Sequence, residues 1–163
     1  MAAPAFRKFL SNVRAKSFIH DGVASVTAST VTLSRKLHSG RTTVLNRAAG
    51  ITVTLPDATG SGDRYRLVGR ATLTGNTTIK VANATDVMVG GIHIGDGGDT
   101  AAAVADFFTT AATSDTITMD SGANGGGKIG DWVELEDFMA DKWLVHGMWQ
   151  DALDPATPFS ATV

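Results

Sequence analysis

Cysteine is absent from this 163-residue chain, and tyrosine, tryptophan and proline are scarce. Without cysteine there can be no disulfide, no thiolate nucleophile and no zinc–thiolate site. No apolar run approaches the ~18 residues that a membrane-spanning helix needs, so no membrane is expected as a partner. The chain is instead rich in glycine, with 18 residues, and 43% of it is hydrophobic. That composition is enough for one folded domain with a real core and an appendage.

Acidic residues are almost missing from the first fifty positions. Residues 1–50 contain eight Lys or Arg and one acid, Asp21, for a net charge of +7, whereas residues 51–163 sum to −9. Such asymmetry is typical of a basic arm on an acidic body that docks onto something else. On charge alone the partner could be nucleic acid, a membrane surface or an acidic protein surface. An acidic body would repel a polyanion, so we expect a protein partner and no specific nucleic acid.

Residues 1–20 are predicted to be a basic N-terminal arm, either a short helix or extended, and residues 21–163 a β-domain. Four apolar arm residues have the i, i+3, i+4, i+7 spacing of one helical stripe: Phe6, Phe9, Leu10 and Val13. So short a helix is marginal in water, so it would order on a partner surface or on its own domain. An acid-free, Arg-rich start is also typical of a mitochondrial transit peptide, which is an alternative.

From Gly22 onward the apolar period changes to two. The most regular piece is Ile51–Leu55, which Pro56 ends, and Thr59–Asp63 is a glycine turn. Many short strands separated by turn residues predict an all-β fold, a single antiparallel β-sandwich or barrel-like domain. The residues expected to face inward include Val87, Val89, Trp132, Trp143 and Trp149.

No pattern of catalytic or metal-binding residues rises above chance. Gly122–Lys128 spells GxxxxGK, but Ile129 follows it and a strand continues, so a Gly-rich hairpin loop is favoured over a nucleotide site. A cluster of five acids could hold Ca²⁺, although a solvated acidic surface is favoured: Asp131, Glu134, Glu136, Asp137 and Asp141. We therefore expect no enzyme activity, no cofactor, no metal and no small-molecule substrate.

Three segments of the body resemble the small β-proteins that decorate or cement the heads of tailed bacteriophages. They are Ala49–Val68, with its LP-x-A-TG-x-G turn, Thr77–Gly90, and Gly126–Leu135 followed by the Trp143 strand and Thr157–Ser160. The resemblance implies a non-enzymatic structural virion protein that binds the outer face of the assembled capsid. Its implied partners are the major capsid protein and further copies of itself, with a homotrimer expected from the three-fold positions of the lattice. Such a protein is made in the host cytoplasm.

The arm lies outside the recognisable pattern, and its role rests on its residues alone. We predict that eight of them contact the capsid: Phe6, Arg7, Lys8, Phe9, Leu10, Val13, Arg14 and Lys16. One alternative is a β-domain of a tail fibre, spike or other host-recognition component that binds a cell-surface glycan. Another is a nucleic-acid-binding or enzymatic protein that uses the basic half.

Overall fold

The computed structural model describes residues 23–96, 105–120, 122, 124–151 and 155–163, and it is almost entirely β. The one helix in these ranges, α1, is Arg35–His38. The strands are β1 (Ala24–Val26), β2 (Thr30–Thr32), β3 (Thr42–Leu45), β4 (Thr52–Thr54), β5 (Arg64–Gly69), β6 (Thr77–Lys80), β7 (Val87–Asp96), β8 (Ala105–Thr109), β9 (Thr116–Met119), β10 (Trp132–Met139), β11 (Lys142–Asp151) and β12 (Phe159–Ser160).

These strands form two sheets that pack together as a β-sandwich, which confirms the predicted fold class. One sheet has seven strands in the order β1-β3-β5-β10-β11-β7-β8, and the other has five in the order β12-β9-β6-β4-β2. The prediction of antiparallel sheets is wrong, because both sheets are mixed. The pairs β1–β3, β3–β5 and β7–β11 are parallel in the first sheet, as are β2–β4 and β4–β6 in the second.

The parallel pairs among β1 to β6 arise because these six strands alternate between the sheets. Odd-numbered strands lie in the seven-stranded sheet and even-numbered strands in the five-stranded sheet. Each turn therefore carries the chain across the sandwich instead of closing a hairpin, and the second crossing returns it in its original direction. The turn at Thr59–Asp63, for example, joins β4 to β5 in different sheets. Residues 24–80 thus wind as a coil of three two-strand turns.

The core lies between the inner faces of the two sheets, where side chains alternate in and out along each strand. Trp143 and Trp149 are each 1% exposed, as predicted. Trp132 is only partly buried, because its even position on β10 faces away from the core, so its predicted place in the core is wrong. On β7 the even-numbered residues Met88, Ile92 and Ile94 face inward. The predicted inward positions of Val87 and Val89 are therefore wrong.

The described ranges contain no helix long and apolar enough to cross a membrane. The predicted arm residues, 1–20, lie outside the described residues, and so do residues 97–104 between β7 and β8.

Gly50 lies where the turn between β3 and β4 packs closely against the turn between β5 and β6. Its φ is +87°, and a Cβ at this position would overlap the backbone carbonyl of Asn76. Both the backbone conformation and the close approach therefore demand glycine. Gly40 has a similar φ of +70° but nothing within 4 Å of its Cβ position. Substitutions at these two glycines therefore distinguish the free-energy cost of a positive φ from the cost of a steric clash.

We expect Gly40→Ala to lower the free energy of unfolding by about 1–2 kcal/mol, the cost of the left-handed conformation for an L-residue. Gly50→Ala should lower it by about 2–5 kcal/mol, since overpacking adds to that cost. Urea denaturation of both variants measures the difference. Equal losses of unfolding free energy in the two variants would show that the turn around Gly50 can move away from Asn76 without cost.

Candidate functional site

The outer face of the seven-stranded sheet, the side turned away from the five-stranded sheet, carries the residues that suit binding best. The register aligns one row of side chains across the strands from β5 to β8, since Trp132 pairs with Val68 and Met148, and Met148 with His93. His93 in turn pairs with Phe107 of β8, and their rings stack with centroids 4.4 Å apart. The row is therefore aromatic and apolar over five adjacent strands.

This face exposes large apolar side chains that the sandwich does not use. Phe107 and Met148 are 53% and 57% exposed. Leu144 and Val89, which pair with each other four residues further along β11 and β7, are about 40% exposed. A water-facing sheet surface normally alternates to polar residues. Between these two rows lies the pair His146 and Gly91, and the Phe107 ring lies beside Gly91. Exposed apolar surface on a folded protein marks a site of interaction. We define Phe107, Met148, Leu144 and Val89 as the apolar strip.

Charged pairs occupy the other half of the same face. Arg64 on β5 forms an ion pair with Glu136 on β10 at 3.0 Å, and Arg66 lies 3.9 Å from Glu134. Arg66 also stacks on Trp132, with its guanidinium carbon 4.2 Å from the ring centroid, while His146 packs edge-on against the same side chain. Both charges of each pair are satisfied within the chain, so this half of the face is close to neutral.

A groove of about 450 Å³ opens at one end of the apolar strip. Its walls are Trp132, Met148, Trp149, His93 and the backbone around Gly130. Asp131 and Gln150 add polar atoms at its margin. A mostly apolar groove with a few polar groups is the usual form of a binding site for a small ligand or an anchoring side chain.

The five acids predicted to form a solvated surface are instead divided between two environments. Glu134 and Glu136 face outward and pair with arginines. Asp131 and Asp137 are 1% and 2% exposed and accept hydrogen bonds from backbone N–H groups. Asp141 is an exposed turn residue with a φ of 60°. Alternation along β10 separates these side chains, so closeness in sequence does not bring them together.

Asp137 holds the Thr59–Asp63 turn against the end of β10. Its carboxylate accepts five hydrogen bonds of 2.6–3.1 Å, from the backbone N–H groups of Thr59, Gly60 and Ser61 and from the hydroxyls of Thr59 and Ser61. Burial alone would raise the pKa of this carboxyl, but the hydrogen bonds outweigh it, and the pKa lies below its ordinary value of 3.8. The carboxylate is a structural anion whose acceptor positions are filled.

A second cavity, of about 340 Å³, lies beside this turn and is lined by Tyr65 and Trp143 among others. Burial, together with the nearby charges of Asp63 and Asp137, raises the pKa of Tyr65 to about 12. Within the described part of the chain the indole N–H of Trp143 has no hydrogen-bond partner. Near neutral pH the phenol stays protonated and Asp137 stays ionised, so neither group is poised to exchange a proton.

The glycine-rich segment Gly122–Lys128 is packed, not projected as a hairpin loop, in the part that the structure describes. Gly125, Gly126 and Gly127 are buried, and a Cβ at Gly126 would overlap the ring of Trp149. The N–H of Leu73 donates to the carbonyl of Gly127. The glycines let backbone lie against a core tryptophan, and the strand β10, not a helix, comes next, as the sequence predicted.

The eight predicted arm contacts, Phe6 to Lys16, lie outside the described residues, so the structure brings none of them to this site. Sequence reasoning missed the outer face. The available signal was the parity of β10 and β11, which puts Trp132, Leu144 and Met148 on the side opposite Trp143 and Trp149. Among the described residues no three His, Asp or Glu side chains come together as metal ligands.

Comparison with known proteins gives no match to any family model, curated protein or solved structure. What the outer face can bind follows from its own side chains. It offers dispersion and aromatic contacts along the apolar strip, and the ion pairs already formed beside the strip can orient a partner. Such a surface suits a broad protein contact.

Asp137→Asn should destabilise the fold by about 2–3 kcal/mol at pH 7, because an amide removes the charge and turns an N–H₂ group toward N–H donors. The depressed pKa means that the carboxylate's contribution is complete above roughly pH 5 and is lost as pH falls through the folded-state pKa. The difference in unfolding free energy between wild type and Asp137→Asn should therefore shrink below about pH 4. Urea denaturation across pH 3–7 measures it.

The neighbouring Glu136→Gln is the matched control. Glu136 makes one surface ion pair, with the half-exposed Arg64, so its loss should cost less than about 1 kcal/mol. A gap for Asp137→Asn that is constant from pH 7 to pH 3 would contradict the assignment of its carboxylate as the ionised anchor of the turn.

Proposed function

We propose that this protein is a non-enzymatic structural component of a tailed-phage head, which binds the outer surface of the assembled capsid and cements neighbouring major capsid protein subunits. It self-associates, and a trimer suits the three-fold positions of a capsid lattice. The observation that carries the proposal is the outer face of the seven-stranded sheet. Its exposed apolar strip, set beside internally paired charges, has the composition of a protein-binding surface and suits the self-association, while the arm supplies the predicted capsid contacts.

The physics of the fold suits such a role. A ligand that binds only the assembled lattice stabilises it by mass action, whatever its chemistry. The sandwich offers a rigid body, since its central strands β10, β11 and β7 pair over seven to ten residues. The sequence adds a basic arm of about 20 residues, which could span as much as ~65 Å when extended. A rigid body with a long arm can bridge two capsid subunits.

A second candidate is a host-recognition domain of a tail fibre or spike that binds a cell-surface glycan. The groove of about 450 Å³ favours it, because the Trp132 ring in its wall can stack on a sugar ring and the exposed Gln150 amide can bond the sugar's hydroxyls. The groove opens onto the apolar strip, whose width exceeds what one sugar would cover. We therefore place the glycan second.

Cryo-electron microscopy of virions that carry this protein separates the two candidates. We expect its density to repeat over the whole head, on the outer face of the capsid. Density confined to the tail would overturn the decoration role and favour the glycan-binding alternative.

Deletion of Met1–Phe18 should weaken binding to purified heads by at least about tenfold, since ordering of the arm on the capsid is offset by its apolar anchors and charge pairs. Titration of undecorated heads with wild-type and truncated protein measures the effect. Within the arm, Phe9→Ala should raise the dissociation rate, whereas Arg14→Gln should mainly lower the association rate and its salt dependence. Unchanged saturation by the truncated protein would refute the arm's role and leave the β-body as the binding element.

A further inference from the structure

We infer that the apolar strip on the outer face of the seven-stranded sheet is covered by another copy of this chain. The inference deepens the self-association in the proposed function and rests on it there, but it concerns the free protein and is tested without capsids. The starting observation is the alignment of the four strip residues, each about 40–57% exposed, on one face: Val89, Phe107, Leu144 and Met148.

The charge on this face favours a like partner. Arg64 and Arg66 are neutralised by Glu136 and Glu134 within the chain, and Lys142 at the start of β11 is partly buried. A nearly neutral face meets no like-charge repulsion when it approaches a second copy of the same body. It also offers little net field to a polyanion or to a strongly basic segment. An apolar surface with paired charges at its margin matches the composition of homo-oligomer interfaces.

The extent of the face matches what a stable contact needs. The face spans the five strands β5, β10, β11, β7 and β8, which have six, eight, ten, ten and five residues. At ~4.8 Å between strands and ~3.4 Å per residue this is roughly 600–700 Å² in projection. A stable interface buries roughly 800 Å² of accessible surface on each partner. The rougher accessible surface of the face is therefore sufficient for one subunit contact.

The chain's own arm fits the strip less well. Residues 1–20 carry four bases and no acid, and the first acid of the chain is Asp21. The acids nearest the strip, Glu134 and Glu136, are already paired with arginines. An arm bound here would bury its charges beside a neutral surface, which costs desolvation without compensation. A second copy brings no such excess charge to the strip itself.

Met148→Glu in the full-length chain tests the inference, with Leu37→Glu as the matched control. Met148 and Leu37 are 57% and 56% exposed, so each change replaces an equally accessible apolar side chain with the same acid. Leu37 lies on α1, in the connection between β2 and β3 and not on a strand of the outer face. Sedimentation velocity at micromolar to tens-of-micromolar protein should show an oligomer for wild type and Leu37→Glu. Met148→Glu should raise its dissociation constant at least about tenfold.

A mass of either two or three copies supports the inference, provided that Met148→Glu dissociates it. Phe107→Glu is a second variant at the edge strand β8, and thermal unfolding checks that each variant folds. A monomeric wild type, or an oligomer indifferent to both substitutions, would overturn the inference. So would a monomer in which deletion of residues 1–22 newly exposes Met148 to oxidation, since that assigns the strip to the arm. Head binding by a monomeric wild type would leave the proposed capsid-binding role standing, while the proposed self-association and this inference both fail.

Discussion

The backbone ladder that joins β10, β11 and β7 decides which side chains reach the core and which reach the outer face. Val133, Leu135, Val145 and Trp149 point inward only because this register holds over seven to ten residue pairs. A slip of one residue would exchange the two faces of a strand. The buried tryptophans make such a slip very costly, since each fills a large volume of the core. The exposed row of Trp132, Met148 and His93 is therefore a fixed consequence of core packing.

Local alternation was enough to predict the sandwich and most of its strands, but not β3 and β12, which have only four and two residues. It could not predict which strands pair. Turns such as Thr59–Asp63 look like hairpin turns, yet they cross between sheets and make the neighbours parallel. Alternation also failed to choose the inner face where both faces carry large apolar residues. That ambiguity misplaced Trp132 and Val89, whose true sides depend on partners distant in sequence.

The acids show the same limit. Five carboxylates close in sequence suggested one solvated surface, but the structure gives them opposed physical roles. Asp137 is an anion held by five hydrogen-bond donors, and Glu134 and Glu136 offset two arginines across strands. Asp131 is likewise buried and accepts hydrogen bonds from backbone N–H groups, so only Glu134 and Glu136 neutralise arginines on the outer face. The proposed function depends on the apolar strip and on the basic arm, whose contacts remain predictions from sequence.

Oxidative footprinting of two methionines tests most directly whether the outer face is the protein's interaction surface. Met148 lies in the apolar strip, and Met139, at 48% exposed, lies at the far end of β10 as an internal reference. The assembled protein should show slower oxidation of Met148 than the dilute protein, with the rate at Met139 little changed. Equal rates at Met148 in the dilute and assembled protein would contradict an interaction surface there.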